Sequence, residues 1–545
     1  MLPVGIGSSG VDVGDIGHSL RFAASRSCYA SRTFGTATNQ YIFTWSGWVK
    51  LSGLDTTDYG ELIECRSASS DAGYGSLYVY NGNIRFSGWA TVWRTTTMEL
   101  RDPSSWYHIV LAVDTTQATA ANRIKLYVNG VEVTSFTTSN NPTQNTTVGV
   151  NTNSSAARIG SDDPLSSSRK LDGYTSRVCF VDGQALTPSS FGYQNTAINE
   201  WVSKTQSEVK AVVDAGGTNS FMLDFDNGSS TTTLGYDKSS KGNNWTLSGH
   251  SLTAGTNYDW GLDRPGCSYS TFNPLDVANV GTRTIQNGNV EVNTSSGAGG
   301  ARLIAIPPTG KWSLENFYVS GTWSGNKGFG IVTRTGDISG GVIPTGCVTY
   351  NANGNKTSGG AYSAYGATYT STNGIRMDVD QDAGTVTFYK DGVSQGAITH
   401  GLGTEIYACI VNPSASACVD LVSAGQAPFH SSAAYDSASL GYWKNAPSSG
   451  FKAPCQANMP EGSITTSGSF TGTLNADGPC VYLNGVPTAM TINGNAVTFG
   501  TNADALSNGF KVRSSSSSYN NTGSNTYSIT STGPKAKYSL ARGNP

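Results

Sequence analysis

The sequence is short of charge. Asp, Glu, Lys and Arg supply 13% of its 545 residues, about half the share of roughly 25% usual in soluble domains. The signs nearly cancel: 34 basic against 37 acidic residues, a formal net charge of −3. No run of Lys or Arg occurs that would grip a phosphate backbone or an anionic bilayer, which argues against nucleic acid and membrane surfaces as electrostatic partners. Apolar runs are short as well, and none approaches the roughly 20 residues a membrane-crossing helix needs. Residues 1–20 lack a basic stretch followed by an apolar one, so no secretory leader is expected.

Catalytic and metal motifs are scarce too. The nine cysteines stand at 28, 65, 179, 267, 347, 409, 418, 455 and 480, without a C-x-x-C. That spacing suits neither a zinc ribbon nor a small disulfide scaffold, and predicts free, buried thiols made in a reducing compartment. Cys409 and Cys418 could still meet across a hairpin. The five histidines stand alone, and His108, inside an apolar strand, is expected to be a core residue bonded to a neighbour. There is no G-x-S-x-G and no H-E-x-x-H. Glycoside hydrolysis needs two carboxylates about 5–9.5 Å apart. Glu61 and Glu64, three apart, should face opposite ways on a regular strand. No enzymatic activity, cofactor or bound metal is therefore expected.

Turns and aromatics are plentiful, with 66 Gly and an aromatic share of 10%. The aromatic content argues for packed cores rather than disorder. "KLYVNGVEV" (125–133), "TFYKDGVSQ" (387–395) and "VYLNGVPT" (481–488) each read as strand, two-residue turn, strand. Asn-Gly and Asp-Gly suit turns in which both central residues need φ > 0. "WYHIVLAVD" (106–114) is apolar on both faces, as a central strand buried on both sides would be. In "RIKLYVNG", Ile124, Leu126 and Val128 alternate with Arg123, Lys125 and Tyr127, the pattern of a half-buried strand.

The expected architecture is all-β, with tandem antiparallel β-sandwich (jelly-roll) domains joined by loop-rich linkers. Residues 1–18 form a Gly-rich arm. A first sandwich spans 19–191, and 192–275 connects onward through a short helix over 198–213. A second sandwich spans 276–429, and a β-rich unit occupies 430–545, opening with a linker and holding a serine run at 514–518.

"SLRFAASRSCYASRTF", "TWSGWVKL", "WYHIVLAVDTTQATAANRIKLYVNGVEV" and "KLDGYTSRVCFVDGQALTPSSFG" resemble the laminin-G-like, concanavalin-type jelly roll of tailed-bacteriophage virion proteins. "YDKSSKGNNWT" followed by "RPGCSYSTFNPL" resembles the segment after that jelly roll. "GIRMDVDQDAGTVTFYKDGVSQG" (374–396) is similar to the core hairpin of SPRY domains. The resemblance covers residues 19–429. It implies a phage surface protein, such as a tail fibre, head fibre or related adhesin. Such proteins assemble as homo-oligomers, often trimers, on the virion, and the arm would hold this one to other virion proteins. The sandwiches would meet a host glycan or receptor. A structural or decorating role without receptor binding, and a polysaccharide-degrading tailspike, are the alternatives.

Particular residues carry the candidate sites. "GWATVWR" places Trp89 and Trp93 in an expected loop, with Tyr74 and Tyr78 near in sequence. Aromatic faces stack on sugar rings, so both tryptophans are candidate ligand contacts. The competing expectation is that they close one end of the core. Asp378, Asp380 and Asp382 alternate on one strand face and could attract calcium. A calcium loop counted from Asp378 would need Gly and Glu where Ala383 and Tyr389 stand, so turn-forming roles are favoured. Asp237 and Asp162-Asp163 read first as turn residues that bond their own backbone.

Overall fold

The computed structural model describes residues 16–458 apart from 53–58, 163–168, 196–199, 279–282, 296–297, 322–324, 340–344 and 413–416. Between 467 and 530 it describes the backbone of short strands. Its named ladders are antiparallel and build stacked sheets, the all-β architecture that the alternating sequence predicts.

The first sandwich pairs two sheets of eight described strands. One runs Val131–Glu132, Ile124–Val128, Tyr107–Asp114, Ile42–Leu51, Gly173–Asp182, Ser19–Phe22 and Trp260–Gly261, with Phe221–Leu223 also on Gly173–Asp182. The other runs Phe136–Ser139, Val92–Glu99, Asn83–Ser87, Tyr74–Tyr80, Tyr59–Arg66, Ala156–Ile159, Tyr29–Thr33 and Thr246–Ser248. Strand Tyr107–Asp114 is central, as its composition requires. Ile109, Leu111 and Val113 enter the core between the sheets, while Val110 packs outward against Val209 and Val213.

Those two valines lie on helix Gln206–Asp214, which starts eight residues later than the expected span of 198–213. Thr205 stops the helix there. Its side chain accepts from the Glu208 amide, and Glu208 bonds back to Thr205 N. This reciprocal capping box satisfies two amides that have no partner within the helix. The preceding Glu200–Ser203 is extended and pairs with Gly192–Asn195.

Much of the expected connecting segment belongs to the first sandwich. Phe221–Leu223, Thr246–Ser248 and Trp260–Gly261 each extend one of its sheets. Asp237 organises the turn between them. Its carboxylate accepts from Met222 N, Ser239 N, Ser239 Oγ and Asn243 N at 2.8–2.9 Å. Hydrogen bonds to the protein's own backbone thus occupy this group.

The second sandwich has two sheets of seven described strands, one centred on Gly328–Thr333 and the other on Lys311–Gly321. Gly374–Asp380 and Thr385–Lys390 pair in register as the expected hairpin. The following turn, Asp391-Gly392, has φ of 48° and 85°, and Asn129-Gly130 has 47° and 82°. Both take the left-handed conformation their residue types favour. The turns at Asn484-Gly485 and Asn493-Gly494, the serine run and residues 1–15 of the arm lie outside the described residues. After the expected linker at 430–439, Trp443, Ala453 and Cys455 are buried in the second core, so residues 440–458 pack with the second sandwich. Beyond them, Gly523–Thr530 pairs with Ser467–Leu474 and Ala489–Ile492.

The two sandwiches meet through buried polar groups rather than a loose tether. Arg21 donates to Asp259, Asn287 O and Thr256 O at 2.9–3.0 Å. Lys50 lies 2.7 Å from Asp263, and Tyr174 Oη donates to Gly288 O at 2.9 Å. Buried polar groups of this kind are tolerated when each finds a partner, as these do.

Candidate functional site

The outer face of the second sheet of the first sandwich carries a candidate site. Its strand Tyr59–Arg66 is not regular. Glu61 pairs with Tyr78 but Ile63 pairs with Leu77, so Leu62 is an extra residue, a β-bulge. Leu62 and Ile63 both reach the core. The bulge resets the alternation, and Glu61 and Glu64 both lie on the outer side, against the expectation that they face opposite ways. The run "ELIE", two adjacent apolar residues between acids, was the available signal for that break in period.

Glu61 is wholly buried and Glu64 nearly so. Arg169, distant in sequence, lies 3.0 Å from Glu61 Oε2. It also donates to Tyr74 Oη at 2.8 Å and Ser76 Oγ at 3.0 Å, while Ser76 Oγ donates to Glu61 and Tyr74 Oη to Glu64. Burial pushes the Glu61 carboxyl up, Arg169 pulls it back down, and Glu64 adds to the rise. Arg169 also packs over Tyr78 and Tyr59. The result is a rigid polar floor in which the cation is matched by a buried acid.

Above this floor opens a pocket of about 430 Å³. Glu64, Arg66, Asp162 and Arg169 supply charge, Tyr74 and Tyr78 supply rings, and residues 87–92 close one side. Trp89 heads that segment with 49% exposure. Its ring stands edge-on to Tyr74 at 5.7 Å, and the Arg66 guanidinium packs 5.0 Å from it. Asp71 fixes the segment, accepting from Ala90 N, Thr91 N and Thr91 Oγ1. Burial pushes the Asp71 carboxyl up, but these bonds outweigh it and hold the carboxyl below its ordinary value. Trp89 is thus an exposed ring on a fixed segment.

Trp93, the second expected ligand contact, is 8% exposed and faces the inter-sheet core. It sits on strand Val92–Glu99 rather than in a loop. Alternation turns Val92 to the pocket and Trp93 inward. Sequence proximity brought Tyr74, Tyr78 and Trp89 to notice. It missed Glu64, Asp162 and Arg169 as a group, because a bulge and a long-range crossing assemble them.

The other candidates serve the fold. Asp378 accepts from Ser313 Oγ at 2.7 Å and from Arg376. Asp380 pairs with Lys311 at 3.0 Å, and Asp382 accepts from Gly310 N in the turn. His108 bonds Ser46 at 2.8 Å, stacks on Trp48, and is lowered to about 3 by burial. Cys409 and Cys418 lie in different sheets of the second sandwich, so they do not meet across a hairpin. Among the described residues, no group of three His, Cys, Asp or Glu side chains converges as a metal site.

Residues 27–190 match the family model Laminin_G_3, described as the Concanavalin A-like lectin/glucanases superfamily. The match covers the first sandwich, where this pocket lies. No curated protein matches the chain. Among solved structures, the SPRY domain of human HERC1 is 18% identical over 28% of this chain and 96% of its own, with a TM-score of 0.25. A heptameric SAP-like pentraxin from Limulus polyphemus is 15% identical over 38% of this chain and 86% of its own, at 0.26. A presumed carbohydrate-binding protein from Bacteroides ovatus is 17% identical over 43% of this chain and 58% of its own, at 0.28. At such identities and scores these likenesses carry nothing about function.

Proposed function

We propose that the chain binds carbohydrate in the pocket beneath Trp89, and does so as a surface protein of a tailed bacteriophage. One observation carries the binding reading: Trp89 is held exposed by Asp71 beside a pocket edged with tyrosines, carboxylates and guanidinium groups. A sugar ring offers an apolar C–H face for the indole and hydroxyls for the polar floor. The concanavalin-type family match over the same residues supports it. The phage setting rests on the resemblance of residues 19–429 to phage virion proteins. In that setting residues 1–18 attach the chain to other virion proteins. Several copies, three in a trimeric fibre, multiply weak sugar contacts into firm adhesion to the host.

The test uses the full-length protein and immobilised host-surface polysaccharide. The wild type should bind and should compete with phage adsorption. Trp89→Ala should bind at least about tenfold more weakly, the loss of one stacking contact worth roughly 1.4 kcal/mol, with an unchanged melting curve. Absence of binding by the wild type would favour the decorating role of a head-fibre type of protein.

A second reading, hydrolysis, draws on the bulge that turns Glu61 and Glu64 to one side. Binding remains preferred because Glu61 is wholly buried and tied to Arg169 and Ser76, not presented to the pocket. Release of reducing sugar from the same polysaccharide by wild type, and not by Glu64→Gln, would favour hydrolysis instead.

A further inference from the structure

A second chemical site lies in the second sandwich, away from the pocket. Arg264-Pro265-Gly266-Cys267 is a tight turn, with Cys267 N donating to Arg264 O at 2.9 Å and Gly266 at φ 78°. Proline followed by a glycine at positive φ is the composition of a type II turn. The turn sends residues 268–270 along the closing segment. There Gln456 N donates to Ser268 O at 2.9 Å and Ser270 N to Pro454 O at 3.0 Å, with Tyr269 bridged to Cys455.

This pairing places Cys267 diagonally across from Cys455 on one side of the ladder. Both are buried in the same core beside Tyr269 and Trp443, as free cysteines on the side of the ladder that faces that core. The neighbouring Cys455 thiol and the Arg264 guanidinium favour the thiolate of Cys267 and draw it down from its ordinary value, against the effect of burial. By contrast, burial pushes Cys28, Cys65, Cys179, Cys347, Cys409 and Cys418 up. One thiol favoured as thiolate, with a second on the same side of the pairing, is the make-up of a pair that crosslinks.

We propose that Cys267 and Cys455 form a disulfide when the protein meets an oxidising thiol–disulfide environment, covalently closing the second sandwich. With a small disulfide such as oxidised glutathione the chemistry balances. The Cys267 thiolate attacks one glutathione sulfur, forming a mixed disulfide and releasing a glutathione thiolate. Cys455 then loses its proton and attacks Cys267 Sγ, releasing the second glutathione. Two protein thiols are oxidised and one glutathione disulfide is reduced. The bond ties the turn entering the second sandwich to residues 451–458, which end it. Because both sulfurs are enclosed, exchange proceeds through opening of that closing segment, and the finished bond is shielded from reductant.

The experiment incubates the full-length protein with oxidised glutathione, with and without mild denaturant. Remaining thiols are blocked under denaturing conditions, and the digest is read by mass spectrometry. The expected result is one dominant crosslinked peptide joining Cys267 to Cys455, with the whole protein lighter by two hydrogens. The melting temperature should rise relative to reduced protein, and this rise should be absent in Cys455→Ala. Quantitative alkylation of both cysteines after oxidation under both conditions, or a dominant crosslink between other cysteines, would overturn the proposal. The crosslinked peptide is sought in the wild type, so the test decides the matter even if Cys455→Ala folds poorly.

Discussion

Trp89 and Trp93, four positions apart, lie on opposite sides of one sheet. Trp89 is 49% exposed at the pocket mouth, and Trp93 is 8% exposed in the core. Gly88 N donating to Thr91 O closes the bend between them, and strand alternation from Val92 does the rest. Trp93→Ala should therefore cost about 3–5 kcal/mol, as other buried aromatic truncations do. Trp89→Ala should change stability by less than about 0.5 kcal/mol, as at other surface positions. Urea melts of the two variants check this.

Arg169 and Glu61 form the buried ion pair under the pocket. Arg169→Met leaves the Glu61 carboxyl without its cation in a wholly buried place. The expected loss is about 3–5 kcal/mol. Adding Glu61→Gln should recover part of it, since an amide can still accept the Ser76 hydrogen bond but needs neither a cation nor a proton to be neutral. A double-mutant cycle by chemical denaturation measures the coupling.

Acid should destabilise the fold through its buried histidines. Burial lowers His108 to about 3 and His250 to about 4, and burial with nearby Arg264 lowers His18 to about 4, all from an ordinary 6.5. Between those values and 6.5 the unfolded chain takes up protons that the folded chain refuses, so stability falls as pH drops. Above 6.5 this loss is absent. Each group contributes up to about 1.4 kcal/mol per pH unit in that window. His108→Gln should reduce the slope by one group's share, read from melts at pH 4 to 7 (about the titration range of His).

The Thr205 cap should matter beyond the helix it starts, because Val209 and Val213 cover one face of the first sandwich. Thr205→Ala is expected to cost about 0.5–2 kcal/mol. Thr205→Ser should retain most of the stability, since it keeps the accepting hydroxyl. Thermal melts distinguish the two.

Local chemistry made much of the fold legible in the sequence. Asn129-Gly130 and Asp391-Gly392 specify their turns because few residue pairs accept positive φ twice. The apolar faces of residues 106–114 specify a central strand because only burial on both sides suits them. Trp89 was legible as an exposed ring only in company with Trp93, since loop and strand differ there by a few residues. What the tertiary structure decided depends on contacts between distant segments. The bulge at Leu62 reverses the side of one glutamate, and Arg169 arrives from across the sheet to neutralise it. Residues 221–261 read as a connector because each strand is short, yet each is stabilised by an edge that other segments provide. Residues 430–439 look polar and loop-like, but soon after them Trp443 and Cys455 find a core that the preceding strands have already built. Periodicity records which residues want burial; only the assembled sheets determine which distant partners bury them.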